Sequence, residues 1–170
     1  MGGVKAEILI VDANVLIDFC TTNPSILALV CTHVAVVNVA EPVLDEVEQL
    51  DRVTAEALGI RVVTPDFPCL SRAATLAQRS PLQFQDWVCL LLAETNHWTC
   101  VTNDKRLRTE CQTRHIAIMW GLELLVRLVE EGVLPEMAAI ELAEEIHLVN
   151  KRLPRTVIAA FIRRVRGTRS

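Results

Sequence analysis

The sequence predicts an α/β fold, a parallel sheet with helices on both faces. Short apolar runs alternate with helical patterns along the chain. The first run, Ile8–Val11, is continuous rather than alternating, as a strand covered on both faces requires. It stops abruptly at Asp12, and the carboxyl ends of buried parallel strands are where such folds place their functional groups.

Taken in order, Ile8–Asp12 reads as the first strand, and Ala13–Cys20 and Ser25–Cys31 as short helices. Val34–Val39 is the second strand. Glu41–Leu50 reads as a helix, because Val43, Leu44, Val47 and Leu50 make one apolar stripe and Pro42 suits a first turn. Ile60–Thr64 is the third strand, stopped by Pro65, and Leu70–Gln78 is helical. Ser80-Pro81-Leu82-Gln83 reads as a helix start, with Ser80 the cap and Gln83 completing a capping box. The helix it opens is apolar almost all round from Val88 to Ala93, so it is expected to be buried. Trp98–Thr102 is the fourth strand, Asp104–Thr113 a helix and Ile116–Trp120 the fifth strand. Helices over Leu122–Glu131, Glu136–Val149 and Pro154–Val165 complete the chain, and there is no internal repeat. If strands two and three lie on one side of strand one, and four and five on the other, right-handed crossovers open a crevice between strands one and four. Asp12 and Asp104 would then meet there.

Composition narrows the function. At 170 residues and 51% hydrophobic, the chain suits one domain with a sizeable core. It has no Tyr and few aromatics, which argues against a stacking platform for single-stranded nucleic acid. No apolar run approaches the ~20 residues of a membrane helix, and the start, Met1–Lys5, lacks the apolar segment of a secretory signal. Six cysteines at irregular spacing inside apolar segments read as reduced core residues of a cytoplasmic protein. Charge is uneven: residues 151–170 hold seven Lys or Arg and no acid, leaving ten basic against 21 acidic in residues 1–150. An acidic body suits carboxylates kept for metal better than a protein that coats nucleic acid.

Four acids stand out, each with an ordinary alternative. Asp12, between a strand and a helix, could be a plain N-cap. Asp104 could be an acid in a first turn, capped by Asn103. Glu46, chosen from Glu41, Asp45, Glu46 and Glu48, lies on the flank of its apolar stripe but could be simply solvated. Asp86 sits in the second turn of an apolar helix with no Lys or Arg within a turn or two, so a cation or a partner from elsewhere must meet it. Asn14 and Asp18 could add polar ligands or cap bonds. Four crowded carboxylates repel strongly unless cations join them. Oxygen ligands without Cys or His suit Mg²⁺ or Mn²⁺.

The stretches Ile10-Val11-Asp12-Ala13-Asn14-Val15-Leu16-Ile17-Asp18, Pro42-Val43-Leu44-Asp45-Glu46-Val47, Gln85-Asp86-Trp87 through Ala93, and Val101-Thr102-Asn103-Asp104-Lys105-Arg106-Leu107 resemble, in order, the four motifs of PIN-domain nucleases. The resemblance spans about residues 7–120. It implies a three-layer α/β/α PIN-like domain over 1–120, central strand order 3-2-1-4-5, with 121–170 a helical extension packed on or next to it. It implies metal-dependent cleavage of RNA, with Asp12, Asp86 and Asp104 holding one Mg²⁺ or Mn²⁺ and Glu46 helping place a second. Paired ions ~3.5–4 Å apart activate water and stabilise the leaving oxygen. Thr102 and Asn14 would orient waters or the scissile phosphate. Small members of this family are mostly toxin ribonucleases of the VapC type, so a cognate antitoxin is an expected partner, and a homodimer is compatible with the reading. Two features depart from the family: Asn14 stands where many members have a hydroxyl residue, and the tail is longer than the minimal domain. Arg163, Arg164 and Arg166 of that tail are candidate RNA phosphate contacts, and Val157, Ile158, Phe161 and Val165 give it an apolar stripe for docking.

Three rivals compete. A phosphatase using Asp12 as nucleophile wants a second acid two residues on, where this chain has Asn14. A catalytically silent PIN-like domain would only bind a protein partner. Zinc could use His97 with Cys100 and Cys111 with His115. The glycines form neither a phosphate loop nor a dinucleotide fingerprint, and no nucleophile-elbow serine is present.

Overall fold

The computed structural model describes residues 6–167. The start of the chain, read above for a signal segment, and Arg169, one of the seven basic residues of 151–170, lie outside them. Strands β1 (Ile8–Val11), β2 (Val36–Ala40), β3 (Arg61–Val63), β4 (Thr99–Val101) and β5 (Ile118–Met119) form one all-parallel sheet in the order β3-β2-β1-β4-β5. Central β1 is covered beyond its first residue: Leu9, Ile10 and Val11 are wholly buried. The register sets Leu9 beside Val37 and Thr99, and Val11 beside Val101. The one polar residue inside β2, Asn38, donates its amide to the Leu9 carbonyl at 3.1 Å and so stays paired.

Ten helices flank the sheet among the described residues: α1 (Ala13–Thr22), α2 (Ser25–His33), α3 (Glu41–Leu44), α4 (Arg52–Ala57), α5 (Phe67–Ala77), α6 (Phe84–Asn96), α7 (Lys105–Thr113), α8 (Gly121–Glu130), α9 (Glu136–Val149) and α10 (Arg155–Gly167). Helix α6 packs on β1, β2 and β4 together with α3, α5 and α7, while α1, α2, α8, α9 and α10 pack with one another. Val88 to Ala93 of α6 are all buried, which explains why this helix lacks a polar face. The C-terminal helix docks on the body through Ile158, Phe161 and Val165, while Val157 packs only partly against the core.

The structure corrects three local readings. Glu41–Leu50 is not one helix: α3 ends at Leu44, and Glu46, Val47 and Leu50 donate to carbonyls three residues back in successive turns. Its stripe is still buried, at 5% exposure or less, because turns of about three residues repeat as a helix does. Ser80 does not cap α6. Gln83 is the N-cap, and the Ser80 hydroxyl accepts from Leu82 N and from Trp87 Nε1 instead. Asp104 lies outside α7 as its N-cap rather than in its first turn.

No cysteine among the described residues forms a disulfide; Cys89, Cys100 and Cys111 are buried, and Cys89 Sγ lies 3.7 Å from Cys100 Sγ. No single described helix is long and apolar enough to cross a membrane, and α1 and α2 meet at a bend of 118°.

Candidate functional site

The crevice lies where the topology puts it, at the carboxyl edge between β1 and β4. Asp12 N donates to the Val101 carbonyl at 3.0 Å, joining the two strand ends. The Asp12 carboxylate caps α1, with Oδ1 accepting from Ala13 N at 2.7 Å. Its Oδ2 accepts from the Thr102 hydroxyl at 2.9 Å, and that hydroxyl in turn accepts from Asp104 N at 3.0 Å. Thr102, wholly buried, thus ties the first acid to the backbone of the fourth. Asp104 Oδ1 caps α7 by accepting from Leu107 N at 2.9 Å. In α6, Asp86 Oδ2 accepts from Gln83 N at 3.0 Å.

One cleft of about 400 Å³ is lined by Asp12, Asn14, Glu46, Asp86 and Asp104, with Arg106 and Arg152 at its margin. Four segments far apart in sequence therefore deliver their acids to one place. The acids also feel one another. Burial first, and then the charge of Asp86, carries the Asp12 carboxyl from 3.8 to about 7, against the pull of its bonds to Thr102 and Ala13. Burial raises Asp86 too; its bond from Gln83 N opposes this and the Asp104 charge adds to it. Glu46 is raised by burial and by Asp86.

The arrangement stops short of a formed cage. Among the described residues, no three His, Cys, Asp or Glu side chains make a group that could hold a metal ion. Each of the three aspartates gives at least one oxygen to a helix-start amide. A carboxylate accepts at about four sites, so lone pairs remain, and an all-oxygen donor set fits a hard divalent cation.

The other predicted residues divide. Thr102 orients Asp12, and Asn14 lines the cleft. Asp18 does not line it: its oxygens accept from Asn150 Nδ2 at 3.1 and 3.0 Å and from Asn103 Nδ2 at 3.4 Å. Arg163, Arg164 and Arg166 do not line it either. Arg164 is paired with Glu123, Nη2 to Oε1 at 2.7 Å. Sequence reasoning missed Arg106 and Arg152. Arg106 could have been found by its place two residues after Asp104; Arg152 carries no local signal. The zinc rival has no group to stand on: His97 and His115 are left-handed residues just past helices, lining a pocket to which neither Cys100 nor Cys111 contributes. The phosphatase rival still lacks a second acid two residues after Asp12, where Asn14 stands and lines the cleft.

Thr102→Val should strip Asp12 Oδ2 and Asp104 N of a buried partner and cost about 1–3 kcal/mol. Chemical denaturation reads this directly, and a midpoint equal to wild type would show that the bridge is not structural.

The chain matches no model of a known protein family, and no curated protein matches it.

Proposed function

We propose that this protein is a PIN-like, Mg²⁺- or Mn²⁺-dependent endoribonuclease, and by the same resemblance the toxin of a type II toxin–antitoxin pair restrained by a cognate antitoxin. The observation that carries the proposal is the convergence of Asp12, Glu46, Asp86 and Asp104 on one cleft at the β1–β4 crevice. Asp12, Asp86 and Asp104 would hold the first ion, with Glu46 on the flank toward a second. Bound there, divalent metal supplies an acidified water and neutralises charge on the phosphate. The chain's own residues do the rest. Thr102 fixes the Asp12 carboxylate by its bond to Oδ2. Asn14 offers an amide to a phosphate oxygen, and Arg106 and Arg152 offset the acids at the margin. The hydrolysis adds the water oxygen to phosphorus and breaks a bridging P–O bond, and the leaving oxygen takes a proton.

The silent protein-binding domain has one observation in its favour: three of the acids already serve as helix-start acceptors without forming a metal group. A panel of structured and unstructured RNAs, incubated with Mn²⁺, Mg²⁺ or EDTA, separates the two. Cleavage that needs the metal and vanishes in EDTA is expected. An intact panel under all conditions would favour the silent domain.

A further inference from the structure

The turn between α9 and α10 is fixed to the body by polar ties. Asn150 Nδ2 donates to both oxygens of Asp18 on α1, at 3.1 and 3.0 Å. The Asn150 carbonyl oxygen Oδ1 accepts from Arg152 N at 3.0 Å. His147 Nδ1 lies 2.9 Å from the Leu153 carbonyl, and Leu153 itself is buried. This turn is therefore held against the helix that begins at Asp12, and it delivers the Arg152 side chain to the cleft edge.

Arg152 borders two basins. One is the carboxylate cleft; the other, of about 460 Å³, is lined by Asp18, Asn103, Lys105 and Asn150. Asn14, Ile17, Asp104 and Arg152 line both, so the basins adjoin. Lys105, Arg106 and Arg152 are exposed and carry no ion pair among the described residues. Unmatched cations beside an acidic cleft suit a ligand that brings its own negative charge. Each basin has the size of a small-molecule pocket, ~300–1,000 Å³, which admits a nucleotide but not a duplex. No aromatic side chain lines either basin among the described residues, so bases are not held by stacking.

We propose that the two basins form one groove for single-stranded RNA, and that Arg152 is its phosphate-positioning residue. The phosphate adjoining the scissile one sits on the Arg152 guanidinium, whose planar fork matches phosphate oxygens. Lys105 and Arg106 flank it. The strand is held by its backbone, so this groove discriminates poorly among base sequences. The choice of RNA rests on the ribonuclease reading; the groove itself rests on geometry.

The test is anisotropy of a labelled single-stranded 12-mer RNA with the full chain in Ca²⁺, across a KCl series. It compares wild type with Arg152→Ala, Arg152→Lys and, as a control on the tail, Arg163→Ala. Arg152→Ala should weaken binding about tenfold and flatten the log K against log salt slope by about 0.7, one phosphate contact on a single strand. Arg152→Lys should recover the slope, and Arg163→Ala should match wild type. In parallel Mn²⁺ cleavage assays, Arg152→Ala should raise KM more than it lowers kcat. Wild-type affinity and slope in Arg152→Ala would overturn the proposal, as would a wild type that binds no RNA. An Arg152-dependent slope in a protein that never cuts RNA would uphold the groove and remove the nuclease.

Discussion

Asp104→Asn should abolish metal-dependent RNA cleavage while leaving the fold unchanged. The two roles of this side chain can be separated because asparagine caps a helix about as well as aspartate. Its carbonyl oxygen can still accept from Leu107 N, the bond that starts α7. What disappears is the negative charge facing the cleft. Losing a partner behind a metal ligand typically costs 10–100-fold in affinity or activity, so losing a ligand itself should cost more than ~100-fold. Asp104→Ala should lose activity too, and in addition about 0.5–2 kcal/mol with the cap. Cleavage rates beside thermal melts decide the matter. An asparagine variant that cuts RNA at the native rate would remove the carboxylate from the mechanism.

In metal-free buffer, Asp12→Asn should make the protein more stable, and increasingly so from about pH 4 to pH 7. In the folded chain the Asp12 carboxyl is carried from 3.8 to about 7, mainly by burial. Between those values the folded state keeps a proton that the unfolded state has lost, so wild-type stability falls as pH rises. The full cost above pH 7 is on the order of 4 kcal/mol. The residue is 5% exposed, so little of this is screened by water. Asparagine has no charge to bury, and its pH dependence should lack this slope. The bond pattern survives in altered form: the Thr102 hydroxyl, now a donor to Asp12 Oδ2, can accept from an amide instead. Mn²⁺ at 100 times its Kd adds about 2.7 kcal/mol to the protein that retains the carboxylate, so it should narrow the gap above pH 7 and reverse the order only below about pH 6, where the burial cost is smaller. Melting curves over this pH range, with EDTA and with Mn²⁺, check both halves. A difference between variant and wild type that does not change with pH would contradict the assigned cause.

Strand positions could be read from the sequence because the strands are short and mostly apolar, although β2 carries Asn38 and β3 Arg61; the order was what the resemblance implied, and each site acid except Glu46 borders a strand end or an apolar helix. Local boundaries were harder. Val43, Leu44, Val47 and Leu50 face inward from a short helix and a series of turns, and periodicity alone does not distinguish these from one long helix. Helix α4 went unread because only Ala55 of its six residues is buried, too thin a pattern to detect. The S-P-L-Q pattern at Ser80 fits a helix start, yet the helix begins at Phe84, where the Asp86 carboxylate rather than a hydroxyl meets the free amide of Gln83. Arg152 was invisible because its place depends on Asn150 reaching Asp18, a pairing across 132 positions that no local pattern encodes.

That pairing also bears on how far the chain can be shortened. A chain ending at Trp120 would leave the Asp18 carboxylate, 7% exposed, with Asn103 alone, while α1 would lose α9 and α2 would lose α8, the helices that pack against them. Residues 121–167 thus cover the two helices that follow β1, and deleting them would uncover the helix that Asp12 caps.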